Sequence, residues 1–159
     1  MPDDAPSPLL LRGGTLVDRD GARRADVMVE GGAIAAVGSD LDANGAEVLD
    51  CGGCWVGPGL VDLHAHLRQP GREEAEPIET GSRAAALGGF TTVLAMPNTD
   101  PPVDSAAVVR EVLALGASAL CNIEVSGAIT VGRAGERLAP MAELAGLGVR
   151  LFTDDGSGV

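Results

Sequence analysis

From Gly59 onward one pattern repeats along the chain, and it leaves few folds open. "GLVDLHAHL" reads as a buried strand. "IETGSRAAALGG" reads as a helix with alanines on its packing side and Gly88 and Gly89 as its stop, and "FTTVLAMPN" reads as the next strand. "DSAAVVREVLALG" opens on Asp104 or Ser105 as N-cap, keeps apolar residues at helical spacing and ends at Gly116. "ALCNIEVSGAIT" follows as a third strand, "ERLAPMAELAGLG" as a third helix in spite of Pro140, and "VRLFTDDG" as a fourth strand. Strands alternating with helices over short connections demand a parallel sheet, open or closed into a barrel.

Four such steps are half of a TIM-type (β/α)8 barrel, which takes about 250 residues when complete. The fold class expected is therefore α/β, with residues 58–159 as the first four βα steps of a barrel whose remainder lies beyond Val159. Residues 1–57 read differently. "LLLRGGTLVD", "ADVMVEGGAIAAVG" and "AEVLDCGGCWVGPG" are short strands broken by glycine turns, and "EGG" sits between two β-rich runs as a hairpin turn. They predict a small β-sheet domain ahead of the barrel.

Composition narrows the function classes. Hydrophobic residues make up 45% and aromatics 2% of the chain, so the core must come from Ala, Val, Leu and Ile, which suits packed α/β layers. The formal charge of −12 excludes nucleic acid and an anionic membrane as partners, since both need a basic face. "MPDDAPSPLLLRGG" has acidic residues where a secretory signal needs positive charge, and no apolar run reaches the roughly 18 residues of a membrane span. A soluble cytoplasmic protein is expected.

The cysteines number 3, an odd set that fits reduced thiols better than a disulfide framework. "CGGC" at 51–54 has the spacing of half a redox or zinc site. It opens no helix and has no second pair to complete it, so two small residues in a strand and turn is the better account.

The chemistry concentrates in "GLVDLHAHLRQPG". Both histidines of the chain are there, two residues apart on a strand, so His64 and His66 share a face with Ala65 turned away. Neutral imidazole is a common ligand for zinc and similar ions, and the pair reads as a metal grip rather than as core histidines. The pair falls at the C-terminal end of the first barrel strand, and Asp154 and Asp155 fall at the same end of the fourth. Barrels build active sites at that end, so one of the two aspartates is expected to join the metal. Taken alone, "TDDG" reads more readily as a turn with an Asx cap.

Together, "GPGLVDLHAHLRQPG", "EPIETGSRAAALGGFTTVLAMPNTDPP" and "LFTDDGSGV" resemble the dihydroorotases of the cyclic amidohydrolase superfamily, in the long class with an Asp-bridged metal centre. "GGAIAAVG" and "DCGGCWVGPG" are similar to that family's N-terminal strands, which form part of a composite β-sandwich. The resemblance implies His64, His66 and Asp155 as metal ligands. It implies Arg68 and the Asn98 of "MPNT" as residues that hold the substrate carboxylate, with His66 also in the substrate's shell. A guanidinium fork and an amide donor suit that task, and Arg68 follows His66 by two on the expected strand face.

The resemblance further implies one or two Zn2+ ions and reversible cyclisation of N-carbamoyl-L-aspartate to L-dihydroorotate. It leaves open a homodimer or a complex with aspartate transcarbamoylase. Many superfamily members bridge their metals with a carboxylated lysine; all 11 basic residues here are arginine, which closes that route within the chain. Pro77 departs from the family pattern, benignly in a loop or first helical turn. No catalytic acid or base is expected within the chain: the general-base aspartate and two further histidine ligands belong beyond Val159. This stretch alone is therefore expected to be inactive. Two other functions compete, an allantoinase or hydantoinase acting on a less anionic ring, and a non-catalytic scaffold for aspartate transcarbamoylase.

Overall fold

The computed structural model describes residues 7–159, which divide into two compact units, 7–58 and Gly59–Val159. The first unit is a sheet in the order β3-β2-β1-β4, with β5 also paired to β1. Its strands are β1 Leu9–Asp18, β2 Gly21–Glu30, β3 Ala33–Gly38, β4 Glu47–Asp50 and β5 Trp55–Val56. β2 and β3 form the hairpin expected at "EGG". Gly31 and Gly32 both have positive φ, +57° and +77°, the backbone of a two-residue turn that follows the strand twist.

β1 carries an extra residue where its pairing with β2 shifts between Leu11 and Gly14. The Gly13 amide freed by this bulge donates to Asp26 Oδ1 at 2.7 Å, and the Leu41 amide donates to Asp26 Oδ2 at 3.0 Å. Asp26 is buried, and its carboxyl lies below the ordinary value because the Gly13 amide, joined by that of Leu41, outweighs the opposing effect of burial. Of the CGGC cysteines, Cys51 is buried and Cys54 exposed, both with free thiols.

The second unit is built on a parallel sheet, β6 Leu60–Ala65, β7 Phe90–Ala95 and β8 Asn122–Val125, in sequential order. α1 Ile78–Leu87 connects β6 to β7, and α2 Ala106–Gly116 connects β7 to β8. Val108, Val109 and Val112 of α2 pack with Val93 and Ala95 of β7, Ile123 and Val125 of β8, and Leu144 of α3 Met141–Gly146. This aliphatic cluster is the core that the aromatic-poor composition called for, and the class is α/β. Among the described residues, no helix is long and apolar enough to cross a membrane.

Several expectations need correction. β6 is not a buried strand: Leu60, Val61 and Leu63 are 53%, 54% and 67% exposed. It is an edge strand, paired to β7 on one side only among the described residues. α1 presents Ile78 and Ser82 to the interior, with Ala85 only partly buried beside them. Pro140 precedes α3 rather than interrupting it, since the helix runs only Met141–Gly146.

"VRLFTDDG" does not form a full strand either. It is reduced to one parallel bridge, Gly127 to Phe152, with the Gly127 amide on Leu151 O at 3.0 Å and the Thr153 amide on Gly127 O at 2.9 Å. The residues ahead of it still close onto α3: the Val149 amide donates to Leu144 O and the Arg150 side chain to Ala145 O. Glycine at 127 permits this close approach, since a Cβ there would stand 2.8 Å from the Phe152 ring.

Candidate metal centre

His64 is the penultimate residue of β6 and His66 the first beyond its end, so both stand where the parallel strands terminate. Ala65 O still accepts the Met96 amide at 2.9 Å, which carries the strand geometry far enough to keep the two imidazoles together. Their ring centroids are 5.1 Å apart, the planes at 74°. The His64 amide is held by its own strand neighbour, Asp62 Oδ1, at 2.9 Å.

The two adjacent aspartates divide the labour. Asp154 is 2% exposed and faces inward. It accepts the Ile129 amide at 2.8 Å, the Thr130 amide at 3.1 Å and the Thr130 hydroxyl. Burial pushes its carboxyl up, but the Thr130 hydroxyl, the two amides and the nearby Arg133 charge together hold it below the ordinary value. Asp155 has a left-handed backbone, φ +49°, with its amide on Thr153 Oγ1 at 3.0 Å. Its Oδ1 lies 3.1 Å from His64 Nε2 and its Oδ2 3.9 Å from His66 Nδ1. Asp154 thus makes no Asx turn: its carboxylate anchors the remote 129–130 segment, and it is Asp155 that faces the histidines.

One ligand atom each from His64, His66 and Asp155 lies within 4.8 Å of the others. Two imidazoles and a carboxylate are the donor types of a zinc site that keeps a position open. Donors about 2.1 Å from a shared tetrahedral ion stand about 3.4 Å apart, and the His64 to Asp155 separation of 3.1 Å is close to that. The donor set fits a divalent metal.

Asn98, in the loop after β7, joins the cluster through His66: its Oδ1 is 3.1 Å from His66 Nδ1. An amide oxygen only accepts, so the contact is a hydrogen bond in the tautomer that carries its proton on Nδ1, and Nε2 is then the nitrogen open to a metal. Arg68 departs from the expected arrangement. It lies in the loop beyond β6, its amide on Glu76 O at 2.8 Å, and alternation along a strand does not govern it. Among the described residues no hydrogen bond or ion pair links it to the histidines, to Asn98 or to Asp155.

Arg133 is a member that sequence reasoning passed over. Its Nη2 lies 3.8 Å from Asp155 Oδ2, and its guanidinium donates to the carbonyls of both aspartates. The one signal in the sequence is an arginine embedded in the glycine turn "TVGRAG", and nothing in that turn points to residue 155.

The family model described as "Dihydro-orotase-like" matches residues 53–159. The dihydroorotase of Pelotomaculum thermopropionicum is 47% identical over 150 residues, covering 93% of this chain and 35% of that protein. The dihydroorotase of Streptomyces coelicolor is 46% identical over 153 residues, covering 94% and 35%. Among solved structures, L-hydantoinase (dihydropyrimidinase) from Arthrobacter aurescens is similar with a TM-score of 0.80 at 26% identity, over 92% of this chain and 32% of that one. The D-hydantoinase of a Bacillus sp. AR9 is similar with a TM-score of 0.69 at 28% identity, over 91% and 31%. The chain spans about a third of the length of the curated relatives it matches.

Proposed function

The chain belongs to the dihydro-orotase-like family, and from that premise we propose that the whole protein is a dihydroorotase. In this reading it is a cytoplasmic, zinc-dependent cyclic amide hydrolase that interconverts N-carbamoyl-L-aspartate and L-dihydroorotate in pyrimidine synthesis. β6, β7, β8 and the Phe152 bridge open a (β/α)8 barrel, and residues 1–57 contribute strands to a β-sandwich. One observation carries the reading: His64 and His66 at the C-terminal end of a parallel strand converge with Asp155, just past the Phe152 bridge, where such a barrel collects its active site.

His64, His66 and Asp155 are the residues that would hold the zinc. A bound zinc ion supplies Lewis acidity toward an amide carbonyl and acidifies water. The chain's own residues orient the substrate. Asn98 keeps the His66 ring in place with its oxygen, which leaves its amine to donate to the substrate carboxylate. The Arg68 fork is the partner for the same carboxylate, a role that needs its side chain to swing toward the cluster. Anchored there, the ring amide is presented to the ligands at short range.

The test is turnover of dihydroorotate by the whole protein supplied with zinc. His64→Ala should lower kcat/KM by on the order of a hundredfold or more, the loss expected when a metal site is damaged. Unchanged turnover would sink the reading. Faster turnover of hydantoin or allantoin than of dihydroorotate would move the protein to the hydantoinases. Co-purification with a transcarbamoylase, with no metal and no turnover, would make it a scaffold.

A further inference from the structure

We propose that Arg133 is a positioning residue for the metal centre: its guanidinium grips two consecutive carbonyls and so fixes the bend that turns Asp155 toward the imidazoles. This rests on reading His64, His66 and Asp155 as a metal site.

Arg133 Nε and Nη2 both donate to Asp154 O, at 3.1 and 2.9 Å, and Nη2 also donates to Asp155 O at 3.1 Å. Those carbonyls belong to the peptide planes on either side of the Asp155 Cα. Fixing both planes fixes the Asp155 φ and ψ, and a rigid planar fork is suited to do it. The conformation so fixed is left-handed, φ +49°, one that an L-residue adopts at a cost and keeps only where its surroundings insist.

Arg133 is itself held from behind. Its own φ is +57°, its amide donates to Thr130 O at 3.0 Å, and the preceding Gly132 amide donates to Asp104 Oδ2 at 2.7 Å. Thr130 in turn donates its hydroxyl and amide to Asp154. The turn at 130–133 and the bend at 154–155 therefore lock one another.

The charge of Arg133 acts differently. At 3.8 Å from Asp155 Oδ2 the guanidinium is beyond hydrogen-bond range of the carboxylate, which stays turned toward the histidines. A simple counter-ion would sit on the carboxylate and compete with a metal, so its removal would tighten metal binding. A backbone clamp predicts the opposite sign.

Calorimetric titration of the chain with Zn2+ decides between them. Arg133→Ala should weaken zinc binding about ten- to a hundredfold, the range for partners that orient a ligand. Arg133→Lys keeps the charge without the fork and should weaken it comparably; this milder variant carries the test if the alanine variant does not fold. The visible spectrum of the Co2+-loaded chain, which reports ligand geometry, should change in the same variants. Zinc affinity equal to or tighter than wild type in both variants would overturn the inference, as would full restoration by lysine. Wild-type chain that binds no zinc, or binds it equally with His64→Ala, would remove the metal-site reading and this inference with it. Zinc bound through His64 but indifferent to Arg133 would remove the inference alone.

Discussion

Asp26 in the first unit and Asp154 in the second are buried carboxylates doing the same local job, accepting backbone amides from segments remote in sequence. Asp26 takes the amides of Gly13 and Leu41, and Asp154 those of Ile129 and Thr130. Their neighbours differ. Asp26 is flanked by Ala25 and Val27, both buried, so its anchoring ends in the sheet. Asp154 is followed by Asp155, whose side chain meets no backbone amide and faces two imidazoles instead. One anchored acid stabilises a bulge, while the other leaves the next acid to face the two histidines.

The largest effect should come from Asp154→Ala, which strands the Ile129 and Thr130 amides and the Thr130 hydroxyl. With each buried orphan costing roughly 1–3 kcal/mol, a loss of about 3–5 kcal/mol in denaturant unfolding is expected, with zinc binding impaired as well. Asp26→Asn should destabilise the chain while leaving zinc affinity unchanged; a parallel loss of zinc binding would erase the contrast between the two acids. Next in size, His64→Ala should weaken zinc binding on the order of a hundredfold with little change in the metal-free unfolding midpoint, because the His64 side chain is 62% exposed.

The smallest effect is a pH dependence. The Asp26 carboxyl is held low in the folded chain, so its contribution is fully present above the unfolded value of about 3.9. That contribution disappears as pH falls through the lower folded value. Midpoints measured between about pH 7 and pH 3 should therefore fall more steeply for wild type than for Asp26→Asn; superimposable slopes would show that the acid plays no part.

Much of this was legible in the sequence because periodicity and punctuation are local. The Gly31–Gly32 turn, the Gly88–Gly89 stop of α1 and the end of α2 at Gly116 all follow from short-range chemistry. The pairing of His64 with His66 did too, since strand alternation needs only adjacent residues. What was missed depends on contacts between distant segments. That "VRLFTDDG" would shrink to a bridge at Phe152 depended on Val149 and Arg150 staying with α3. That β6 would be exposed depended on what covers its two faces and its free edge, which alternation along the strand does not carry. Arg133 reaches across 22 residues to Asp155, and no pattern in "TVGRAG" announces a clamp. Arg68 shows the reverse error, because alternation was extended past the point where the strand stops.

The open side of β6 has a consequence for the histidine it carries. An unpaired strand edge with Leu60, Val61 and Leu63 exposed is a template on which a further strand can add. His64 stands on this edge strand, so a strand that added there would also bear on how still the imidazole stands. Lateral strand addition and the sharpness of the ligand geometry are then two readings of one equilibrium.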